Sequence, residues 1–328
     1  MKEDQDPVHD WRPSASIEAL RLRARLLAVI RAFFAERDVL EVETPAMARA
    51  GTSDVHITSL TTICHAGAAA SGQFFLQTSP ELAMKRLLAA GSGPIYQVCR
   101  AFRDRESGRL HNPEFTLLEW YRPGFDHHEL MDEVDTLMDR VLGTAGSTRR
   151  LTYRDAFVEH GGVDAFEAST QALLLRAQHA GLNLTLDSTA ERDMLLDFLF
   201  SHTVQPAFGD GRVFVYDYPA SQAALARVRA SQPPVAERFE LFLNGIEIAN
   251  GYHELADADE QRQRFAADGC ARKRLGLAPM PVDERLLAAL AHGLPDCAGV
   301  AVGLERLFMI AAGESRIEAV MAFPLTRA

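Results

Sequence analysis

Near the C-terminus, Gly299-Val-Ala-Val-Gly-Leu-Glu-Arg306 combines a bare strand face with a cation at a helix start. Side chains alternate along a strand, so Val300, Val302 and Leu304 make one apolar face. Gly299, Ala301 and Gly303 make the other, which carries almost no side-chain atoms and lets a ligand lie against the backbone. Glu305, Arg306 and the apolar run to Ile310 then read as a helix start, and a guanidinium at a helix N-terminus suits a phosphate. Taken alone, the stretch fits a buried strand–helix junction equally well.

A second region carries complementary chemistry. Val98-Cys-Arg-Ala-Phe-Arg103, a polar loop, and Asn112-Pro-Glu-Phe-Thr-Leu-Leu-Glu-Trp-Tyr121 read as strand, long loop, strand. On the second strand Phe115, Glu119 and Tyr121 share parity and therefore a face. An aromatic plane, a carboxylate and a phenol on one face suit a stacked base and an ammonium group. In a third region, Val39-Leu-Glu-Val-Glu-Thr-Pro45 follows an amphipathic helix. Leu26, Leu27, Ile30, Phe33 and Phe34 repeat there at helical spacing, with Arg23, Arg25 and Arg31 off that face.

Together these stretches resemble the three motifs of the class II aminoacyl-tRNA synthetases, in the order motif 1 (Val39 to Pro45), motif 2 (Phe102-Arg103 through Tyr121) and motif 3 (Gly299 through Arg306). The lysyl-tRNA synthetase subgroup is the nearest. Its flavour comes from Thr78-Ser-Pro-Glu-Leu82, His111-Asn-Pro-Glu-Phe115 and Glu247-Ile-Ala-Asn-Gly-Tyr-His-Glu254. The likeness covers nearly the whole chain. Only some twenty residues precede motif 1 when its leading helix is counted from about residue 21, so the resemblance implies a catalytic domain without the anticodon-binding domain of the synthetases. In that it resembles the lysyl-synthetase paralogues that ligate (R)-β-lysine to elongation factor P. Two details agree: Ser221-Gln222 stands where the synthetases tend to have Ser-Pro, and Ala301 stands where they have Gly.

The resemblance implies adenylation: a carboxylate attacks the α-phosphate of ATP and pyrophosphate leaves. Such chemistry is mostly positioning and charge neutralisation. By the same resemblance Arg103 takes the α-phosphate, Phe115 stacks on adenine, Asn112 contacts the nucleotide, and Arg306 caps it from the other side. Gly303 allows close approach, and Asp104, Arg105 and Ile248 line the nucleotide site. Glu247 is the magnesium- and ATP-contacting carboxylate, since magnesium wants hard oxygen ligands shared with phosphates. Glu254 is placed on the substrate and, with Glu247, counted as a metal candidate. Ser79, Pro80, Glu81, Glu119, Tyr121 and Ala301 complete a pocket for a diamino acid. A surplus of carboxylates suits a cationic substrate, although Glu81 equally suits the first turn of a helix. Motif 2 departs from the family pattern Phe-Arg-x-Glu. Arg105 stands where the glutamate is usual and Glu106 comes one place later, so either Glu106 substitutes through a loop shift or backbone contacts suffice there.

The elements that must position these residues can be read in outline. A loose arm is expected over residues 1–16 and one catalytic domain over 17–328. Helices are expected at 17–37, 81–90, 127–142, 261–275 and 283–291, and strands at 40–44, 73–78 and 213–218. Asn244-Gly245 sits between apolar alternations and signals a tight hairpin. The stretch 151–207 reads as a helical insertion without a catalytic cluster. The fold class is α+β: an antiparallel sheet flanked by helices. The Leu26–Phe34 stripe matches the two-fold interface of the family, so a homodimer is expected.

Composition adds bounds. The chain has 328 residues, 47% of them apolar and 24% charged, with net charge −11. That is ordinary for a globular core and without the basic balance of a dedicated nucleic-acid binder. Cys64, Cys99, Cys270 and Cys297 are scattered, which fits a reducing cytoplasm and no zinc cluster or disulfide framework. No membrane-spanning run is present. Arg149-Arg150 and Arg272-Lys-Arg274 read as solvated charges, and His127-His128 as a solvated pair. The reading is a cytoplasmic, ATP- and magnesium-dependent ligase of (R)-β-lysine or lysine, with elongation factor P as its protein substrate. A minimal synthetase acting on tRNA and an idle regulatory paralogue are the competing readings.

Overall fold

Ser16 starts the first helix by accepting the Ala19 amide hydrogen on its Oγ at 3.1 Å, a standard N-cap. The computed structural model describes residues 11–67, 71–183 and 191–328. Residues 1–10 of the expected arm and 184–190 of the expected insertion lie outside the described residues. In chain order the elements are α1 (Ile17–Ala35), β1 (Leu40–Glu41), β2 (Met47–Ala48), β3 (Thr61–Cys64), β4 (Gly72–Leu76), α2 (Glu81–Ala89), β5 (Ile95–Phe102), β6 (Glu114–Pro123) and α3 (His127–Leu142). Then come β7 (Thr148–Thr152), α4 (Tyr153–Ala156), α5 (Thr170–His179), α6 (Arg192–Leu199), β8 (Arg212–Pro219), β9 (Val228–Arg229), β10 (Val235–Leu243) and β11 (Ile246–His253). Helices α7 (Ala258–Arg274) and α8 (Glu284–Gly293), strand β12 (Cys297–Gly303) and helix α9 (Leu304–Ala311) complete the order.

The main sheet runs β1-β5-β6-β12-β11-β10-β8-β7, with β9 on β10. Its pairings are antiparallel except β1 with β5 and β7 with β8. This is the α+β architecture with a mainly antiparallel sheet. The Asn-Gly hairpin forms as its sequence demands. Asn244 and Gly245 take φ of 51° and 70°, the left-handed pair that a two-residue turn needs.

The two faces of the sheet are covered differently. On one face Trp120, Leu241, Val300, Val302 and Leu304 pack with Phe34, Leu130 and Leu137 into the main core. On the other face an apolar cluster around Tyr153, Phe200 and Phe242 covers one end. A second, built on Met84, Tyr121, Leu286 and Cys297, covers the opposite end. The polar stretch between those clusters is the floor of the cavity described below. The helices α4, α5 and α6, in the segment read as an insertion, form the cover at the first end.

Three expectations are corrected here. Leu26, Ile30, Phe33 and Phe34 are buried in the chain's own core, so the α1 stripe is not available to a second subunit. Phe34 stacks on Tyr96 with ring centroids 4.3 Å apart. His127 is not solvated: it is the first residue of α3 and 2% exposed. Arg272 is buried too, donating to the carbonyls of Ala278 and Asp54 at 2.9 Å each.

Candidate active site

A cavity of about 1160 Å³ opens on the polar stretch of the sheet. At one end three carboxylates gather. Glu119 projects from β6 and is 2% exposed. The Ser79 hydroxyl donates to its Oε2 at 2.6 Å, and the Tyr121 hydroxyl to its Oε1 at 2.7 Å. Burial pushes the Glu119 carboxyl up to about 7, with the charge of Glu81 adding to it. Glu81 opens α2, where Pro80 sits at the cap position rather than inside the first turn. Glu254 follows β11 and is buried; burial and the neighbouring Glu81 and Glu119 push it up to about 8, against the pull of Lys85.

Lys85 was not anticipated. Its Nζ lies 2.6 Å from Glu81 Oε1 and 2.6 Å from Glu254 Oε2. Burial alone would depress this amine, but the two carboxylates outweigh it and hold its pKa well above the ordinary value. The cluster therefore holds three carboxylates and one ammonium.

The bare face of β12 forms the wall beside it. Gly299 is required by packing: a Cβ there would stand 2.3 Å from Tyr121 Cε1 and 2.5 Å from Glu254 Oε1. Ala301 lies in register between Glu119 of β6 and Asn250 of β11 and lines the cavity. A Cβ on Gly303 would meet no protein atom within 4 Å. That bareness faces open cavity, as close ligand approach requires.

The other end is cationic and aromatic. The Arg103 guanidinium sits 5.1 Å from the Phe115 ring centroid, and its Nε donates to the Thr78 carbonyl at 3.4 Å. Arg306 donates to the Glu247 carbonyl at 2.9 Å and to His111 Nε2 at 2.7 Å. Its Nη1 is 3.4 Å from Glu247 Oε2. Burial and the Arg306 charge lower the pKa of His111, which keeps it an acceptor. The neighbouring Glu305 fixes this geometry. Its carboxylate accepts from the Thr116 amide at 2.7 Å, the Thr116 hydroxyl at 2.8 Å and Arg23 at 3.0 Å. That bolts the first turn of α9 to β6 and leaves Arg306 facing the cavity.

Ser79, Pro80, Glu81, Arg103, Asn112, Phe115, Glu119, Tyr121, Glu247, Ile248, Glu254, Ala301, Gly303 and Arg306 all line this one cavity. Three of the sequence expectations need correction in detail. Asp104 and Arg105 do not line it. Arg105 takes φ 66° and its side chain is 78% exposed. The left-handed residue turns the chain so that Glu106 enters the cavity instead, 3.8 Å from Arg103. Asn112 has both amide ends committed, its Oδ1 to the Leu325 amide at 3.0 Å and its Nδ2 to the Glu114 carbonyl at 2.6 Å. Its first task is to pin the C-terminal segment. Ile248 does line the cavity, while its side chain, 3% exposed, packs into the main core. Glu254 cannot share an ion with Glu247. Seven residues of extended chain separate them, roughly 20 Å at the usual strand rise, and Glu254 is already paired with Lys85.

A better partner for Glu247 is Glu240, which sequence reasoning passed over. It lines the cavity and pairs with Arg238. Burial raises its carboxyl, Arg238 pulls it back, and the Glu247 charge raises it again. Two carboxylates that repel one another beside a cationic pocket fit a hard divalent cation such as magnesium. The signal lay in the alternation of Arg238 and Glu240 with Phe239 and Leu241.

Comparison with known proteins agrees with this geometry. The family described as tRNA synthetases class II (D, K and N) matches residues 4–327. A Vibrio cholerae protein named elongation factor P–(R)-beta-lysine ligase is 53% identical over 321 residues, covering 97% of this chain and 99% of its own. Proteins of the same name from Edwardsiella ictaluri and Yersinia enterocolitica are 50% and 49% identical over 320 residues, covering 97% of this chain and 98% of theirs. On a family match over nearly its whole length, this chain belongs to the class II (D, K and N) tRNA synthetase family.

Proposed function

We propose that this protein is an ATP-dependent ligase that activates (R)-β-lysine, or lysine, as an adenylate and transfers it to the ε-amine of a lysine on elongation factor P. The observation that carries the substrate class is the charge of the pocket. Among the described residues, the carboxyls of Glu81, Glu119 and Glu254 share one ammonium, that of Lys85, so two negative charges are left over once all three are ionised, as they become on pairing with a cationic ligand. A diamino acid brings two ammonium groups. The acceptor rests on the name carried by relatives about half identical over nearly the whole chain.

In the proposed reaction Phe115 stacks on adenine, and Arg103 and Arg306 hold phosphate oxygens from two sides. Their positive charge offsets the charge that develops as the substrate carboxylate attacks the α-phosphorus and the bond to pyrophosphate breaks. Magnesium, when bound, would supply a further positive charge shared with the phosphates, and Glu240 and Glu247 are the residues to hold it. The carboxylate cluster fixes the two amines and so aims the carboxylate. The acceptor ε-amine then displaces AMP from the acyl carbon and releases a proton. We place the reaction in the cytoplasm; among the described residues no helix is long and apolar enough to cross a membrane.

Acceptor labelling tests the proposal. The protein, ATP and radiolabelled lysine or β-lysine are offered tRNA and elongation factor P in parallel. Label is expected on the protein acceptor. Label on tRNA alone would establish the synthetase reading instead.

A further inference from the structure

His253 lies between Tyr252 and Glu254, which both line the cavity, and it faces the other way, toward α3. There it meets His127 of α3 and Glu237 of β10. Each of the three presents one ligand atom, and these atoms all lie within 4.8 Å of one another. All are buried, at 7%, 2% and 9% exposure for His253, His127 and Glu237.

Two observations point to a cation site. Among the described residues, neither ring nitrogen of His127 has a partner within hydrogen-bond distance, and neither does the buried Oδ1 of Asp217. That oxygen is 3.6 Å from His127 Nε2. Buried polar atoms are rarely left so. Second, His253 stands between two carboxylates, with Nδ1 2.7 Å from Glu237 Oε2 and Nε2 2.8 Å from Asp296 Oδ1. A neutral imidazole has one N–H. If it donates to Asp296, its Nδ1 lone pair faces the Glu237 oxygen, an arrangement that either a second ring proton or a metal ion held by both groups makes favourable.

The surroundings allow for one. Asp217, Glu237 and Asp296 contribute three negative charges. Arg229 contacts Asp217 at 2.6 Å and Glu237 at 3.3 Å, and Arg227 lies 3.4 Å from Asp296. One negative charge is left over. His128, its ring tilted 4.1 Å from that of His127, Tyr216, 6.5 Å from His127, and Asp126, the N-cap of α3, are further neighbours.

We propose that His127, Glu237 and His253 bind a zinc ion, with Asp217 as the fourth ligand and Asp296 orienting His253. Two imidazoles with carboxylate oxygens are a zinc donor set. A histidine ligand that gives its other N–H to a carboxylate is the usual supporting arrangement. Closing the ligand atoms onto one ion would tie the first turn of α3 to β8, β10 and β11, behind the strand that leads to Glu254.

The test uses the full chain, stripped with chelator and titrated with zinc chloride against a chromophoric competitor, with metal content read by mass spectrometry. About one zinc ion per chain is expected, with a raised melting temperature. The His127→Gln/His253→Gln double variant should lose the tight site. Asp296→Asn, which alters only the group behind His253, should weaken zinc about 10- to 100-fold. No bound zinc, or a zinc affinity unchanged in the double variant, would overturn the proposal. If the double variant does not fold, an unchanged affinity in Asp296→Asn overturns it. A cluster closed by a proton alone would bind no zinc and melt at the same temperature with and without it, which also overturns it.

Discussion

Lys85 of α2 places its Nζ 2.6 Å from Oε2 of Glu254, the residue that follows β11. A lysine only 1% exposed thereby occupies part of the charge that a substrate amine would otherwise meet. Removing one partner of a buried ion pair typically costs ~3–5 kcal/mol. Lys85→Met keeps the volume and removes the ammonium, so the free protein should melt at a clearly lower temperature. Saturating lysine or β-lysine should then stabilise the variant more than the parent, because a substrate ammonium can take over the vacated role. Equal ligand-induced shifts would separate Lys85 from the substrate site.

The nucleotide end yields a graded series. Arg103→Ala and Arg306→Ala should each suppress amino-acid-dependent ATP–pyrophosphate exchange by ~10²–10³-fold, the usual effect of losing one electrostatic contact to a developing charge. Arg105→Ala should stay near the parent rate, since that side chain is 78% exposed and points away. A large loss in Arg105→Ala with none in Arg103→Ala would reverse the assignment.

The raised carboxyls give a pH dependence with a definite sign. In the free protein Glu119 is pushed up to about 7 and Glu254 to about 8. Each holds its proton to a higher pH than an ordinary carboxyl, yet only the carboxylate form pairs with an ammonium. Binding a diamino acid must therefore release protons, and affinity should rise between about pH 6 and pH 8. Calorimetry in two buffers of different ionisation enthalpy measures the protons released. Glu119→Gln should flatten the portion near pH 7. A dissociation constant that weakens as pH rises over this range would contradict the charge assignment.

What the sequence disclosed and what it hid follow one division. Parity along a strand is local, so the face bearing Phe115, Glu119 and Tyr121, and the bare face of Gly299, Ala301 and Gly303, were legible. The Asn244-Gly245 turn was legible because its backbone demand is local as well. Lys85 was not, since a lysine four residues after Glu81 on an amphipathic helix looks like a solvated pair. Its burial is decided by Glu254, far away in sequence. The same applies to His127, whose neighbours arrive from β8, β10 and β11. The shift that substitutes Glu106 for residue 105 rests on one positive φ, which an arginine does not announce. The α1 stripe read correctly as apolar and wrongly as an interface, because periodicity shows that a face is covered, not by what.

A homodimer is expected to use a surface other than the α1 stripe. Leu40 and Met47 are 56% and 46% exposed. Leu40 lies on β1, at an end of the main sheet with β5 as its one neighbour. Sedimentation at micromolar concentration should give a species of twice the 36.1 kDa chain mass. Leu40→Asp with Met47→Asp should convert it to the single chain without loss of the fold. A single-chain mass for the unmodified protein would end the proposal.

The last prediction concerns Ala301, in register between Glu119 and Asn250 on the bare face of β12. Two residues earlier a methyl is forbidden, because a Cβ on Gly299 would strike Tyr121 and Glu254. At 301 a methyl is present and lines the cavity beside the carboxylates. There it would crowd an amine borne on the α-carbon, whereas a β-amino acid carries its amine one carbon further along. One methyl of pocket shape is worth only ~1–3 kcal/mol, roughly 10- to 200-fold, so it should bias the choice of substrate without making it absolute. Ala301→Gly is expected to raise kcat/KM for α-lysine relative to β-lysine within that range. If Ala301 does no more than fill the sheet, the same change would lower stability by ~0.5–1 kcal/mol and leave the ratio of the two substrates where it was. Pyrophosphate exchange with both lysines, measured in both proteins, separates the two outcomes, and an unchanged ratio would remove Ala301 from the account of specificity.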